Sequence, residues 1–406
     1  MKHICTVDNK FLWFDFPVIV LLAIIVYLPT FTGDFILDDR ILIEKNPYIK
    51  EFHSVDSYLS QEDGITDEEG SGIYHTGYYR PLINITYWID YKIWGMKGYG
   101  FRITNFVLHL LTCLVLFQVL FLITNDRRAI FWVVAIFALH PVNTESVSWV
   151  ISRNNILVTL FILLSLYCYM TAWIKHNHFV LALSVFFFFC AVLSKEFAVM
   201  LLPVFFLCHR FLLKREGKFL RELTGYIPFV LVLILYFVLR HRVTDSVLTP
   251  SDMDGLWRRI YFSPYLIARN LTLIFLPSNL HNFNVTYPHA YFGWQPLLSI
   301  GLCFLLCIFI WRGRKQGLLL FSGFSSFLFM FPVLNIIPTA SISLIAMRWM
   351  YLPLAFIILG AVPVVRWGIN RQRAFTVTIL CLILSYFGGY SFVLNKYLTV
   401  TILVGL

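Results

Sequence analysis

The sequence predicts an all-α polytopic membrane protein, and three observations predict it. The 406 residues are 59% hydrophobic and only 13% charged, against roughly 45–50% and roughly 25% in soluble domains. Forty phenylalanines exceed what one soluble core of this length can enclose. The apolar residues come in long unbroken runs rather than in alternation, which excludes a β-barrel. The same composition excludes a soluble enzyme, a disordered chain and a disulfide scaffold.

A membrane span needs about 20 mostly apolar residues to cross about 30 Å of hydrocarbon. By that rule about eleven spans are predicted, at roughly 14–31, 103–123, 129–141, 154–174, 178–194, 197–213, 224–240, 295–311, 317–335, 344–365 and 374–395. The third is short, so it is tilted or extends past Pro141. The first lacks a small-residue cleavage site and is followed by Asp34, Asp38 and Asp39, which reads as a signal anchor rather than a cleaved peptide.

Charge orients the bundle. With the N-terminus inside, the N-terminal segment and the inner loops 124–128, 174–178, 209–222, 312–316 and 366–373 hold 16 of the 32 Lys and Arg residues, a positive-inside signal. Because the basic residues belong to these loops, the net charge of +10 does not indicate a nucleic-acid partner. Residues 257–276 are apolar enough to suggest a further span but contain Arg258, Arg259, Arg269 and Asn270. We read 241–294 as an outer region with a re-entrant or interfacial helix.

The other large outer feature is the first loop, about 32–102, with twelve Asp or Glu residues, including Glu62, Asp63, Asp67, Glu68 and Glu69, and short interfacial helices are expected in it. Nothing divides the chain, so 1–406 reads as a single transmembrane domain. The cysteines lie mostly in apolar runs, where neither a disulfide framework nor a cysteine metal site is expected. Sequons stand at Asn84, Asn270 and Asn284 on the predicted outer side.

An ionisable residue in or beside a span costs about 2.5–3.5 kcal/mol on insertion scales, so its position is informative. Such residues gather at the outer ends of spans: Asp38-Asp39-Arg40, Arg102 with His109 two turns further in, His140-Pro141 with Thr144-Glu145, Arg153, Lys195-Glu196 and Arg348. A cavity lined by acids and cations and open to the outer face is the economical reading. Each element also has a plainer one. Asp38 and Asp39 are solvated loop acids, Lys195 and Glu196 pair with each other to shorten a turn, Arg348 snorkels to headgroups, His140 caps a helix end, and His109 is a hydrogen-bonded core residue. The i, i+5 spacing of His140 and Glu145 is not that of a helical metal site. No divalent metal is expected, and no cofactor is assigned.

At these residues the chain resembles the TMTC family, the transmembrane-and-TPR O-mannosyltransferases. The resemblance rests on Phe35-Ile-Leu-Asp38-Asp39-Arg40 with Asn46-Pro47, Tyr79-Arg80-Pro81-Leu82, Asn105 to His109, and Phe137-Ala-Leu-His140-Pro141 with Thr144-Glu145 and Arg153. It continues through Ser194-Lys195-Glu196 and Arg348 to Tyr351-Leu352-Pro353. These run in order over about 35–353, and the ordered set is more specific than the Asp pair alone. The family usually has His where Arg102 stands and Glu where Met347 stands. The TPR array that follows the last span in the family is not expected here, so protein O-mannosylation is not assumed, and a separate acceptor-binding subunit is compatible with that.

The resemblance implies a GT-C glycosyltransferase with a polyprenyl-phosphate-sugar donor, acting on a glycan or protein hydroxyl at the outer or lumenal face. The membrane would be a bacterial or archaeal inner membrane, or the endoplasmic reticulum of a eukaryote. A lipid phosphate is a good leaving group that needs charge stabilisation more than protonation, and the acceptor needs one base. Asp38 is the expected base with Asp39 as its partner. Arg80, Arg153, Lys195 and Arg348 are expected on the phosphate, and Arg102, His109, His140, Glu145 and Glu196 in support. The prenyl chain would lie near 257–276. Two other readings are a lipid-linked-sugar flippase or transporter, which would place polar residues near mid-membrane, and a non-catalytic scaffold.

Overall fold

The computed structural model describes residues 14–36, 38–50, 64–66, 73–75, 78–213, 219–243, 253–277, 294–312, 316–336 and 344–400. The acidic residues Glu62, Asp63, Asp67, Glu68 and Glu69, the sequon at Asn284, and the basic residues Lys214, Arg215, Lys218, Arg314 and Lys315 lie outside them.

The fold is a polytopic bundle of α-helices. Helix α1 (Phe16–Tyr27) runs into a tight turn, Leu28–Thr32. It is followed by α2 (Pro81–Trp94), α3 (Gly98–Thr124), α4 (Arg127–Leu139), α5 (Thr144–Ser148), α6 (Arg153–Lys175), α7 (His178–Ser194) and α8 (Leu201–Cys208). The remaining helices are α9 (Phe219–Val243), α10 (Met253–Phe275), α11 (Trp294–Arg312), α12 (Gly317–Met330), α13 (Tyr351–Arg371) and α14 (Arg373–Val400). Each predicted span falls on helical chain. Among the described residues, seven helical stretches are long and apolar enough to cross a membrane alone, eight if the bent pair Arg127–Leu139 and Pro141–Ser148 is one span. Phe16–Thr32 and His178–Ser194 are shorter apolar helices.

Local chemistry explains the breaks. Pro141 has no N–H to continue α4, and helical chain resumes after it at an angle of 47°. Asn125 closes α3 in the left-handed region at φ 51°, and Asp126 caps α4 by accepting from the Ala129 N–H at 3.3 Å. The segment 257–276 lies on α10, a helix that runs through Pro264 and is too charged to count among those stretches. Asn270 is fully buried within it, which leaves no room for a glycan at that sequon.

Helices α6 and α13 are central. In the most apolar part of the stretch containing α6, 78% is buried, and in that containing α13, 61%, against 11% for the stretch containing α9. Helices α6 and α7 approach closely through small residues, with Ser165 Oγ donating to the Ser184 carbonyl at 2.8 Å and Ser184 Oγ returning to the Ser165 carbonyl at 2.7 Å. In hydrocarbon, where burial of apolar surface drives little association, such polar contacts hold helices together.

The first loop holds a helical turn at Pro47–Lys50, helix α2, and a small antiparallel hairpin of β1 (Gly64–Thr66) with β2 (Ile73–His75), which the hydropathy pattern does not signal. The loop is anchored to the bundle at Gly98. A Cβ there would come within 2.7 Å of the Phe35 backbone nitrogen, so only glycine lets the Asp34–Phe35 backbone lie on the start of α3. That contact sets where Asp38 and Asp39 enter.

Candidate active site

The Asp pair sits in a helical turn. Asp39 is at φ −58°, ψ −37° and leads into a wide turn over Arg40–Glu44. The two side chains diverge all the same. Asp39 is fully buried and accepts the Ile151 N–H at 2.9 Å and the Ile36 N–H at 3.3 Å. Burial pushes its carboxyl up to about 7, opposed by the Ile151 N–H and the nearby Arg102 guanidinium. Asp38 is exposed and lines a cavity of ≈ 340 Å³.

The same cavity is lined by Arg80, Lys195, Glu196 and Arg348, brought together from separate stretches of chain. Arg80 precedes Pro81, which starts α2. Its guanidinium forks onto Glu196, with Nη2 to Oε1 at 2.8 Å and Nε to Oε2 at 3.2 Å, and lies 4.1 Å from the Tyr78 ring centre. Lys195 ends α7 in an extended conformation, φ −163°, so Lys195 and Glu196 diverge instead of pairing with each other. Its ammonium donates to Asn155 Oδ1 at 2.6 Å. Burial, then the positive charges of Arg80 and Arg348, hold the Lys195 ammonium well below the usual lysine range, against Glu196 and Glu145.

Arg348 enters on the turn before α13 and is held by Glu145, which is fully buried. One Glu145 oxygen accepts the Arg348 backbone N–H at 2.9 Å and the other accepts its guanidinium, which stacks 4.9 Å from the Trp149 ring centre. Arg80 and Arg348 are therefore each matched by a carboxylate, while Lys195 rests on a neutral amide. With Lys195 protonated, the cluster carries one positive charge in excess, in the same cavity as Asp38. Such a site suits a phosphate, with Arg donating in parallel and Lys acting as a point charge.

Arg153 departs from expectation. It does not line the cavity but is fully buried within the protein, where Nη2 pairs with Asp90 and donates to the Phe101 carbonyl at 3.0 Å. Its Nε donates to Asn105 Oδ1 at 2.6 Å, its Nη1 to Thr86 at 3.2 Å, and its plane lies 4.6 Å from the Tyr87 ring centre. These contacts tie α2, α3 and α6 together beneath the site. A guanidinium surrounded in this way leaves nothing directed at a ligand.

The supporting residues separate likewise. Arg102 is buried and donates to the Thr30 carbonyl at 3.4 Å and to the Asp34 carbonyl, fastening the chain that leads to Asp38. His109 bridges Tyr351 Oη at 2.7 Å and the Ala138 carbonyl at 3.1 Å, the core role its plainer reading describes. His140 caps the turn after α4, accepting from the Val142 N–H at 3.2 Å, and its Nε2 lies 2.9 Å from the Ile274 carbonyl of α10. Among the described residues no group of three or more His, Cys, Asp or Glu could hold a metal ion.

Sequence reasoning missed Asn155, which seats Lys195, and the cavity walls at Tyr78, Asn84, Trp149, Ser152 and Asn154. The adjacent amides Asn154-Asn155 entering an apolar span are the available signal, because polar side chains are costly there. Asn84, one of the sequon asparagines, lies on the cavity wall.

Comparison with known proteins bears on this arrangement. Residues 79–241 match the family described as dolichyl-phosphate-mannose-protein mannosyltransferase. Protein O-mannosyl-transferase F38B6.6 of Caenorhabditis elegans is 25% identical over 389 residues, covering 91% of this chain and 54% of that protein. The chain is similar in sequence to the TMTC protein O-mannosyl-transferases.

Two further relatives of this TMTC-like chain agree. Tmtc1 of Drosophila melanogaster is 27% identical over 46% of this chain and 22% of its own length. TMTC2 of Homo sapiens is 28% identical over 38% of this chain and 18% of its own. The TMTC-like chain thus spans about half the length of the first of these relatives and less of the others. A crystal structure of ArnT from Cupriavidus metallidurans bound to undecaprenyl phosphate aligns with 97% of this chain and 78% of its own, at 12% identity and a TM-score of 0.48. The matched stretch 79–241 contains Arg80, Glu145, Lys195 and Glu196. Asp38 and Arg348 lie outside it and reach the same cavity through the fold.

Proposed function

We propose that this TMTC-like chain is an inverting glycosyltransferase that moves a sugar from a polyprenyl-phosphate donor to an acceptor hydroxyl. Mannose is the first sugar to test, because the relatives are named for it. What carries the reading is one cavity lined both by an exposed carboxylate, Asp38, and by a cation cluster of Arg80, Lys195 and Arg348. The cations hold the donor phosphate, Lys195 by its excess charge and Arg348 in the orientation Glu145 gives it. Asp38 takes the proton of the acceptor hydroxyl as that oxygen attacks the anomeric carbon, and the C–O bond to the phosphate breaks on the opposite side. The phosphate leaves as an anion onto the cations, so no second carboxylate is required. Asp39 is a positioning residue in this reading and Arg153 a structural one. The cavity faces the outer or lumenal side, as the charge asymmetry of the loops predicts.

The test is transfer by purified protein in liposomes, from polyprenyl-phosphate mannose to peptide or glycan hydroxyls. Asp38→Asn keeps the shape of the side chain but cannot take the proton. It is expected to lose 10²–10⁴-fold in rate, about 2.7–5.4 kcal/mol of barrier, with an unchanged melting temperature. Full activity in Asp38→Asn would remove it as the base.

A further inference from the structure

The opposite end of the bundle carries a second polar cavity. Helix α3 ends there at Thr124 and α4 begins there at Arg127. Arg366 of α13 joins them, about 22 Å along the helix from Tyr351, which follows Arg348 by three residues. The cavity has a volume of ≈ 340 Å³, and its lining includes Asp126, Arg127, Arg128, Arg366 and Asn370. Three guanidiniums meet two carboxylates. Arg127 Nε pairs with Asp15 at 2.5 Å, and Arg366 Nε lies 3.3 Å from Asp126 Oδ2. The other Asp126 oxygen already caps α4. Arg128 is exposed and forms no ion pair among the described residues. The Arg366 side chain is 57% exposed, so its terminal nitrogens are open to a further acceptor.

An apolar cavity of ≈ 240 Å³ adjoins the first. It shares Thr124, Arg366 and Asn370 with it and is walled by Val362, Pro363 and Trp367. Trp367 is 63% exposed and Val364 61%, on a stretch long and apolar enough to cross a membrane, so this side opens toward hydrocarbon. The Arg371 guanidinium lies 5.5 Å from the Trp367 ring centre. An exposed tryptophan beside arginine at the end of a span marks the depth of lipid headgroups. A cationic cavity continuous with an apolar one at that depth fits an anion that carries acyl chains. A free phosphate would use the first cavity alone.

We propose that this junction of α3, α4 and α13 binds an anionic phospholipid, its phosphate on Arg128 and Arg366 and an acyl chain against Trp367. The site is independent of the donor-lipid reading and serves the other leaflet, which by the loop charges is the inner one, where anionic lipids attract basic residues. The experiment counts bound lipid by native mass spectrometry as dioleoyl phosphatidylglycerol or phosphatidylcholine is titrated into the purified full chain in neutral detergent. Wild type should prefer phosphatidylglycerol. Arg128→Gln and Arg366→Gln should each lose about 5-fold of that preference, the contribution of one basic residue at an anionic surface. Melting temperatures in detergent alone should be unchanged. Arg128→Gln breaks no ion pair among the described residues, so it reads the site even where Arg366→Gln fails to fold. Lys195→Met controls for binding in the cavity of Asp38 and should leave the preference intact. Equal binding of the two lipids by wild type, or full preference in Arg128→Gln, overturns the proposal. A preference lost in Lys195→Met but kept in Arg128→Gln puts the lipid in the other cavity and overturns it too. Displacement of phosphatidylglycerol by millimolar inorganic phosphate makes this a free-anion site and overturns the lipid.

Discussion

The ammonium of Lys195 meets the side-chain oxygen of Asn155 at 2.6 Å, across 40 residues of sequence. Its neighbours in the cluster are matched differently, Arg80 by Glu196 and Arg348 by Glu145. A neutral amide holds the lysine in place without cancelling its charge, so Lys195 is the cation with which an incoming anion gains most.

Lys195→Met is therefore expected to weaken binding of polyprenyl phosphate more than Arg80→Met does, measured by lipid titration of the purified protein. The lysine must be protonated to act, and its pKa is depressed by burial and by Arg80 and Arg348. Affinity should consequently fall as pH rises through a value below the ordinary 10.5 of lysine. In the Lys195→Met variant that fall should be absent. Equal affinity and an equal pH profile in the two proteins would remove Lys195 from the phosphate site.

Arg153 should behave as a structural cation. Arg153→Ala leaves Asp90 buried with its charge uncompensated, and loss of one partner of a buried pair costs roughly 3–5 kcal/mol. A large drop in melting temperature is expected, with an unchanged KM for the donor in whatever protein folds. Replacing both partners, as in Arg153→Met with Asp90→Leu, should recover much of the stability. A raised donor KM in that double variant would return Arg153 to the ligand.

Asp39 should make stability depend on pH. Its carboxyl is raised from 3.8 to about 7, so the folded chain holds that proton more tightly than the unfolded chain. Raising the pH from about 4 to about 7 then withdraws stability, and above about 7 the loss is complete. Asp39→Asn has no proton to lose. Melting curves in detergent should show wild type declining relative to Asp39→Asn across that window. Parallel curves would show that Asp39 titrates normally.

Topology can be checked by labelling single cysteines in a background without the native ones. Lys97 and Arg371 are both exposed, at the start of α3 and the end of α13. An impermeant reagent should reach Lys97→Cys from the outer or lumenal side and Arg371→Cys from the inner side. The reverse pattern would overturn the orientation taken from the positive-inside count.

How much is legible in the sequence follows the range of the physics. Hydropathy is a local property, so every predicted span falls on helical chain, and Pro141 and Asn125 mark breaks that neighbouring residues dictate. The cost of charge beside hydrocarbon is local too, which is why Asp38, Arg80, Lys195, Glu196 and Arg348 stand out in the linear chain. Sequence by itself determined the class, the helices and the set of unusual side chains. It could not determine which of them share a space. Asp38 and Asp39 have the same local context. The Ile151 N–H, 112 residues away, helps draw Asp39 inward, while Asp38 stays on the cavity. Arg153 and Lys195 both stand at the end of a span. Asp90, 63 residues away, pairs with one in the core, and Asn155 holds the other at the site. Tertiary structure decided these roles because a buried charge goes where its partner is, and the partner is set by the packing of helices distant in the chain.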